Sequence, residues 1–536
     1  MTSPLGATLY PLTGHPTGSP APVAIRFSHL PTISGTRVAF LDPADIAPLG
    51  ITTYGQQQTL DPVQLFDLLV PVDLEIADRE CLARLRRELR SSVDCQTQLY
   101  ENRPKQPSLG SPAIQWEQAI VEGHATHPMH RSRTPLDDDT HAAIAKSSEG
   151  LLQPTITFVS VPRSKVSIFG SYDELLASYL PNSDPDRVVV PVHQAQLPQV
   201  LRRFRIAQHV PSTRRALAQA SMRTVCPDPA SDLPGYHLKL PLAMFTTSAL
   251  RTISPHSVRN GPIVSELALR VVKDPTLLHV VREVASIGAS MGEGTDEHDA
   301  KHLACVVRTD PEVELPGEKI IIAAALVERG ANGTPLVIDA FGLRTRKARI
   351  DFLETYTRLA VDAFLPPMLD HGFGFECHGQ NTLLRVAESG QPLGFAIRDF
   401  GGVQIHVPTL ASSLSLPGDS PLLAFHENSS IIVSSLDKVY VNVFHCLVQN
   451  QLHRLVRALD LHHCGTGWTI VRKHVSRWLT SGRAEEIWFN EAVDLKAFVR
   501  MKMGALYRDY LYSMVPNVLL YAGEVHQGDG EPEAAR

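Results

Sequence analysis

Residues Gly372 to Gly402 read GFGFECHGQNTLLRVAESGQPLGFAIRDFGG, and the rest of the chain is read outward from them. Phe373-Gly374-Phe375 opens the stretch as a short apolar strand. Glu376, His378 and Gln380 then alternate with Cys377 and Gly379, and in extended backbone period-two spacing puts the three polar side chains on one face. Cys377 is turned to the opposite face and reads as core. Glu388-Ser389-Gly390-Gln391-Pro392 is a turn, followed by the apolar run Leu393-Gly394-Phe395-Ala396-Ile397 and by Arg398-Asp399-Phe400-Gly401-Gly402. Two strands joined by that turn bring Asp399 towards the Glu376, His378 and Gln380 face. Carboxylates with oxygen and nitrogen co-ligands suit a hard cation such as magnesium carried on a nucleotide's phosphates. A half-buried hairpin with a wet polar face is the plainer reading of the stretch by itself.

The remainder of the chain reverses that preference. With 536 residues it exceeds one small core and predicts two or three packed domains. Its 43% hydrophobic and 20% charged residues are those of a globular protein. A net charge of −6 leaves no general basic field for nucleic acid or an anionic membrane, so an anionic ligand needs a local cluster of Arg and Lys. The first 20 residues lack a basic and apolar leader pattern, and no run is long enough for a membrane helix. Seven scattered cysteines without a CxxC pair predict reduced thiols and a cytoplasmic location.

Helical spacing is read over Leu74–Leu89, Ile114–Ile120, Ile263–Val284 (split at Asp274-Pro275), Ile350–Met368, Val443–Leu459 and Ala492–Met514. Strands are read over Thr155–Val161, Val188–Val192, Leu238–Phe245 and Ile320–Val327. The last eleven residues, from His526, read as a frayed tail. The texture divides the chain into a mixed part (1–150), a β-rich part (151–345) and a mainly helical part (346–536), an α+β protein.

Two clusters in the β-rich part mix hydroxyl and basic groups. One is Ser221-Met222-Arg223-Thr224; the other begins at Lys239 and continues through Thr246-Thr247-Ser248-Ala249-Leu250-Arg251-Thr252. Arg offers a planar fork of donors and Lys a point charge, which suits phosphate and carboxylate. Other motifs fail. His124 and His127 stand three apart beside Pro128 with no third ligand for zinc. Asp399-Phe400-Gly401 matches the kinase magnesium motif, but no glycine-rich loop, lysine strand or catalytic loop precedes it. P-loop and dinucleotide fingerprints are absent.

Taken in order, the motifs resemble those of the NRPS-independent siderophore (NIS) synthetases, the aerobactin-synthetase-like or IucA/IucC family. They are Glu122-Gly123-His124 with His127-Pro128 and Arg131-Ser132-Arg133, Pro191-Val192-His193, Ser221–Thr224, Lys239-Leu240-Pro241, Thr247–Thr252, Glu376–Asn381, Arg398–Gly402, and Lys496 with Met501-Lys502. The resemblance implies a cupped hand of N-terminal thumb, β-rich fingers and helical palm, sometimes homodimeric. It implies that Ser221, Arg223, Thr224 and Lys239 bind ATP phosphates, and that Thr247 and Arg251 grip the carboxylate, Arg251 also lying near the α-phosphate. Glu376, Gln380 and Asp399 would serve the nucleotide, with Glu376 and Asp399 on Mg2+. His378 would meet the carboxylate or acyl centre, Lys496 would add positive charge, and His124 or His127 would close the pocket. Arg251, His378 and Lys239 are the catalytic candidates. The implied reaction is adenylation of a carboxylate, citrate or a relative of it, then condensation with an amine or alcohol and loss of AMP. A small-molecule kinase and a silent carboxylate-binding protein are the alternatives. Two departures stand out: His193-Gln194-Ala195-Gln196 replaces the usual HPWQ, and Arg131 replaces a lysine.

Overall fold

The structure is a computed structural model. It describes residues 79–124, 127, 129–145, 151–182, 184–228, 233, 235–246, 249–292, 295–425, 429–503 and 511–524. Shorter described runs before residue 70 are 8–9, 23–29, 31–34, 37–38, 42–53, 57–58 and 61–69. The tail expected from His526 lies outside the described residues, as does the start of the helix expected from Leu74, whose described part is Arg79–Glu101.

Two apolar cores organise the chain. The smaller packs around an eight-stranded antiparallel sheet of order Arg187–His193, Thr155–Pro162, Gln208–Ala218, Thr224–Pro227, Tyr236–Lys239, Ala304–Thr309, Glu283–Ala289 and Val166–Gly170. Its strands are rich in Val and Ile, whose branched side chains fit a pleated surface. The larger core joins the C-terminal helices to a four-stranded sheet of order Leu278–Val280, Pro392–Ile397, Thr382–Ala387 and Glu318–Ile322. Helix Pro255–Val271 runs between the two bodies, started by Ser254, whose hydroxyl accepts the Ser257 N–H at 3.2 Å, and by Pro255 in the first turn.

The opening stretch is delivered by helix Arg346–His371. Thr345 caps its start, and Gly372 ends it in the left-handed conformation (φ 59°), a C-cap that glycine adopts without strain. Thr382–Ala387 and Pro392–Ile397 form the expected hairpin, antiparallel across the turn at 388–391. The segment before it is different from the expectation. Phe373–Gly374 pairs with Gln404–Ile405, and residues 378–380 bend and turn instead of extending. The alternation in burial survives: Cys377 and Gly379 are buried while Glu376, His378 and Gln380 are half-buried.

Four other elements depart from the sequence reading. Leu238–Phe245 is divided at Leu240-Pro241 into strands Tyr236–Lys239 and Leu242–Thr246, because proline cannot donate to a central ladder. Ile320–Val327 is a strand only to Ile322; Ala323–Leu326 is one helical turn. The Ile263–Val284 helix stops at Val271, and Leu278–Val280 and Glu283–Ala289 are strands. Ala492–Met514 is a strand (Ala492–Lys496), a short helix (Phe498–Met503) and a strand (Tyr512–Pro516), the two strands paired antiparallel. Within the helix read over Val443–Leu459, Phe444–Leu452 is π-helical and wholly buried. Among the described residues no helix is long and apolar enough to cross a membrane.

Candidate active site

A buried lattice of charges forms where the eight-stranded sheet meets the end of the hairpin. Lys239, last residue of its strand, sends Nζ to Asp399 Oδ1 at 2.8 Å and to Glu283 Oε1 at 3.3 Å. Arg308, from the neighbouring strand, places Nη2 3.0 Å from Glu283 Oε1 and 3.6 Å from Asp399 Oδ2. Lys239, Arg308 and Glu283 are almost fully buried. Burial by itself would raise the Asp399 pKa, yet Lys239, Arg308 and Arg223 together hold its carboxyl well below the usual carboxylate range. Asp399 sits at φ 65°, ψ 94°, a conformation that costs a non-glycine residue about 1–3 kcal/mol and that clusters at functional sites. Glu283 has room because position 261 on the facing helix is glycine; a Cβ there would stand 2.7 Å from Glu283 Oε2.

The hydroxyl-basic turn joins the lattice from the other side. Thr224 pairs with Lys239 across the ladder, and the Ser221 hydroxyl accepts the Thr224 N–H at 3.2 Å. Met222 adopts φ 62° in the turn, and Arg223 donates to the Thr252 carbonyl at 3.0 Å. Arg251 ends strand Ala249–Arg251, and its Nε donates to the Thr246 hydroxyl. Thr247 lies outside the described residues.

Facing this charge is a wall of neutral rings. The His124 ring centroid is 5.4 Å from that of His378 and 6.1 Å from that of His127, and His127 packs on Phe498 at 4.5 Å. Burial is the main cause of a lowered pKa at all three histidines; neighbouring rings push further the same way at His124, and His130, Lys502 and Arg251 at His127, while at His378 the Glu376 and Asp399 carboxylates oppose burial and Lys496 adds to it. His378 Nδ1 accepts the Gln380 N–H at 3.2 Å, and His127 Nδ1 accepts the Met129 N–H at 3.2 Å. In a neutral imidazole the other nitrogen then carries the proton, so both rings offer an Nε2–H donor. Lys496, at the end of its strand, adds positive charge beside His378. The π-helix supplies a floor: His445 Nδ1 meets Gln449 Oε1 at 2.8 Å, Gln449 donates to the Asp494 carbonyl, and Gln451 donates to the Tyr356 hydroxyl. Asn450, Gln451, Gly123, His124 and Gln380 line one cavity; Lys239, Glu283, Asn260 and Gly401 line a second.

Glu376 stands apart from the charge lattice. Asn381 Nδ2 meets its carboxylate at 3.4 Å and His378 Nε2 lies 4.0 Å away. The carboxylate packs on Gly402, where a Cβ would come within 2.0 Å of Glu376 Oε2, so the second glycine of the motif is a space requirement.

Several motif residues turn out to be ties. Arg398 pairs with Glu117 at 2.5 Å and also reaches Gln219 and the Gln380 carbonyl; Glu117 in turn accepts the Ala220 N–H. One buried guanidinium thus joins helix Ala113–Gln118, the Ser221 turn and the His378 turn. Glu328 accepts the Glu122 and Gly123 N–H groups, fixing the loop that presents His124. Arg131 bonds the Val121 carbonyl at 2.6 Å and also that of Ile120. His193 caps the turn Gln194–Gln196 through the Ala195 N–H, and Gln196 bonds the His302 carbonyl, so the HQAQ departure falls in a structural turn. Lys502 is paired with Glu88 at 2.5 Å.

Of the residues singled out from sequence, Ser221, Arg223, Thr224, Lys239 and Asp399 come together at the charge lattice, and His124, His127, His378 and Lys496 at the ring wall. Glu376 and Gln380 lie on the segment that carries His378, and the Arg251 charge acts on His127. Sequence reading missed Arg308, Glu283 and Phe498, and quoted Arg398 in its motif without giving it a role. The available signal for the first two was a charge inside an otherwise apolar strand, as in Ala304–Thr309.

The IucA / IucC family profile matches residues 112–328, and a profile described as a ferric iron reductase FhuF-like transporter matches residues 350–493. The NRPS-independent siderophore synthetase rfs of Rhizopus delemar is 37% identical over 481 residues, 84% of this chain and 73% of that protein. The D-ornithine–citrate ligase of Staphylococcus aureus is 23% identical over 465 residues, 75% of this chain and 69% of that one. Among solved structures, ATP-bound aerobactin synthetase IucA from a hypervirulent pathotype of Klebsiella pneumoniae shares the fold, with a TM-score of 0.71 over 97% of both chains at 17% identity. The chain belongs to the NRPS-independent siderophore synthetases of the IucA/IucC family, α+β in fold and ligases in activity.

Proposed function

We propose that this chain uses ATP to adenylate a polycarboxylate, citrate or a citrate derivative, and passes the acyl group to an amine or alcohol. The observation that carries this reading is the meeting of a lattice of paired charges, whose cations are Lys239, Arg308 and Arg223, with a wall of imidazole N–H donors. A carboxylate and a triphosphate repel each other, and a site that brings them together must neutralise both before reaction. Lys239, Arg223 and Arg308 are placed for phosphate, with the Ser221 and Thr224 turn beside them. Arg251, Lys496 and the His378 and His127 Nε2–H groups are placed for carboxylate. Fixed donors of this kind commonly make the largest contribution to catalysis. A carboxylate oxygen then attacks the α-phosphorus, pyrophosphate leaves, the nucleophile attacks the acyl carbon, and AMP departs. Citrate is favoured by the relative named for it.

Magnesium fits the donor chemistry. Glu376, Gln380 and Asp399 offer oxygens, the preference of a hard cation, and among the described residues the Glu376 carboxylate has polar neighbours in Asn381 at 3.4 Å and His378 at 4.0 Å. These three would hold the ion, which supplies neutralisation of phosphate charge when bound. Asp399 is shared with Lys239 and Arg308, so its part is as much to hold the cations as to ligate. We further propose that residues 151–345 act as fingers and 346–536 as palm against a thumb within 1–150, and that the enzyme works in the cytoplasm, in keeping with its free cysteines.

Pyrophosphate release measured across a panel of carboxylates and amines tests the reading, with AMP as the expected nucleotide product; ADP would instead mark a kinase and sink the proposal. Arg251→Ala is expected to abolish carboxylate-dependent pyrophosphate release while the protein stays folded. Asp399→Asn, which tolerates the same backbone, is expected to weaken the response to magnesium in the same assay.

A further inference from the structure

A second group of ionisable side chains lies away from the charge lattice and ring wall, where the N-terminal segment meets the end of the described chain. His29 follows strand Val23–Phe27, His463 lies between helices His453–Ala458 and Thr466–Val475, and Glu524 follows the turn Val518–Leu520. His29 Nδ1 is 3.1 Å from Glu524 Oε1, and His463 Nδ1 is 3.5 Å from the same oxygen. All three donor atoms lie within 4.8 Å of one another. Donors bound tetrahedrally to zinc at about 2.0–2.2 Å stand roughly 3.3–3.6 Å apart, so the two shorter separations are close to the edges of such a site.

Proton accounting points the same way. His463 Nε2 lies 3.2 Å from Asp45 Oδ1, and Asp45 is gripped by both terminal nitrogens of Arg457 at 2.9 and 2.8 Å. If hydrogen bonds alone held the group, His463 would have to donate from both nitrogens, to Asp45 and to Glu524, while His29 Nδ1 reaches both Glu524 oxygens at 3.1 and 3.3 Å. A cation at the Nδ1 atoms removes that demand. His463 is then a neutral ligand that donates Nε2–H to a carboxylate, the usual outer partner of a metal-bound histidine. The backbone has already tied the donors in pairs: Ser28 N–H bonds the Asp45 carbonyl at 2.7 Å, and Glu524 N–H bonds the His463 carbonyl at 2.8 Å.

We propose that His29, His463 and Glu524 bind one divalent transition-metal ion of the zinc class, leaving a fourth position to water. The ion clamps the segment around residues 23–53 and the end around Glu524 to the helical body. Two imidazoles and a carboxylate favour such an ion over magnesium. The two rings are stacked 3.6 Å apart at 14°, so their lone pairs run side by side, and closing the site requires one ring to tilt. His29 is the one able to do so, its side chain being 40% exposed.

The test loads the full chain with zinc, desalts it and measures metal per chain, with cobalt(II) absorption reporting a low-coordinate N/O site. One equivalent is expected, displaced by chelator but not by excess magnesium, with thermal stability rising on loading. His29→Gln and Glu524→Gln should lose the retained metal and the stability gain while keeping wild-type pyrophosphate release. Asp45→Asn should weaken binding about 10- to 100-fold. Wild-type protein that retains no zinc, or Glu524→Gln that retains as much as wild type, overturns the proposal. So does a clamp that tightens as pH falls without metal, since a doubly protonated His463 would then account for the contacts. His29→Gln is on the surface, so loss of fold does not cloud its result.

Discussion

The two sides of the site are built from opposite materials. Beside the eight-stranded sheet Lys239 and Arg308 share Asp399 and Glu283, three buried charges and the half-buried Asp399 paired with one another. On the opposite side His124, His127 and His378 meet as rings of lowered pKa, with His127 against Phe498. Burial acts on both, with different results. At Asp399 the paired cations outweigh burial and keep the carboxyl ionised; at His124, His127 and His378 burial wins and lowers the pKa, at His378 even against the neighbouring Glu376 carboxylate. A triphosphate needs the first environment. A carboxylate that must remain nucleophilic, and an amine that must arrive unprotonated, are better served by the second, which donates hydrogen bonds without adding another full charge.

The sharpest way to break this comparison is Lys239→Met. It removes the cation that bridges both carboxylates and leaves Asp399 to Arg308. Pyrophosphate release per folded enzyme should fall about 10³-fold, the upper range for loss of a preorganised electrostatic group. A fall of less than tenfold in folded protein would mean that the lattice is scaffolding and that phosphate binds elsewhere. His378→Phe is the matching change opposite. It keeps a ring on His124 but deletes the Nε2–H, and should cost about 10²-fold, with part of the loss recovered in His378→Gln, which restores a side-chain N–H. Equal rates in the Phe and Gln variants would show that the ring shapes the pocket and donates nothing.

How far the two sides could be read from sequence follows the same divide. The hairpin was legible because its turn and apolar runs are local, and the Glu376, His378 and Gln380 spacing signalled a shared face even though the backbone there turns. Arg308 and Glu283 were not legible. In an antiparallel sheet with one wet face a charge within a strand is ordinary, and only helix Pro255–Val271 lying across that face, close enough to need Gly261, buries them. The ring wall was foreseeable only through the resemblance, since His124 and His378 stand 254 positions apart and nothing local joins them. Ala492–Met514 misled because Leu495, Val499 and Met503 fit helical spacing, while the ladder between Lys496 and Tyr512 is a longer-range pairing that local periodicity does not report. The π-helix escaped too, as apolar residues every four or five positions look alike over two turns.

The smallest effect is a slope, and it separates the two sides by pH. The pKa values of His124, His127 and His378 are lowered from an ordinary 6.5, and burial also pushes His130 and His193 down to about 4. Below pH 6.5 the unfolded chain therefore binds protons that the folded chain refuses, so stability falls as pH falls from 6.5 towards 4, by up to about 1.4 kcal/mol per pH unit for each such ring. Asp399, depressed from 3.8, keeps its contribution throughout that window and loses it only at lower pH. His237, raised to about 10, is protonated in both states below 6.5 and adds no slope there. Urea unfolding midpoints at pH 6.5, 6, 5 and 4.5 should decline steadily, and His127→Phe, which keeps an aromatic partner for Phe498, should show a shallower decline by about one ring's share. A flat profile over that range would mean that the rings take up protons inside the fold, and the neutral wall would then be a second cationic surface.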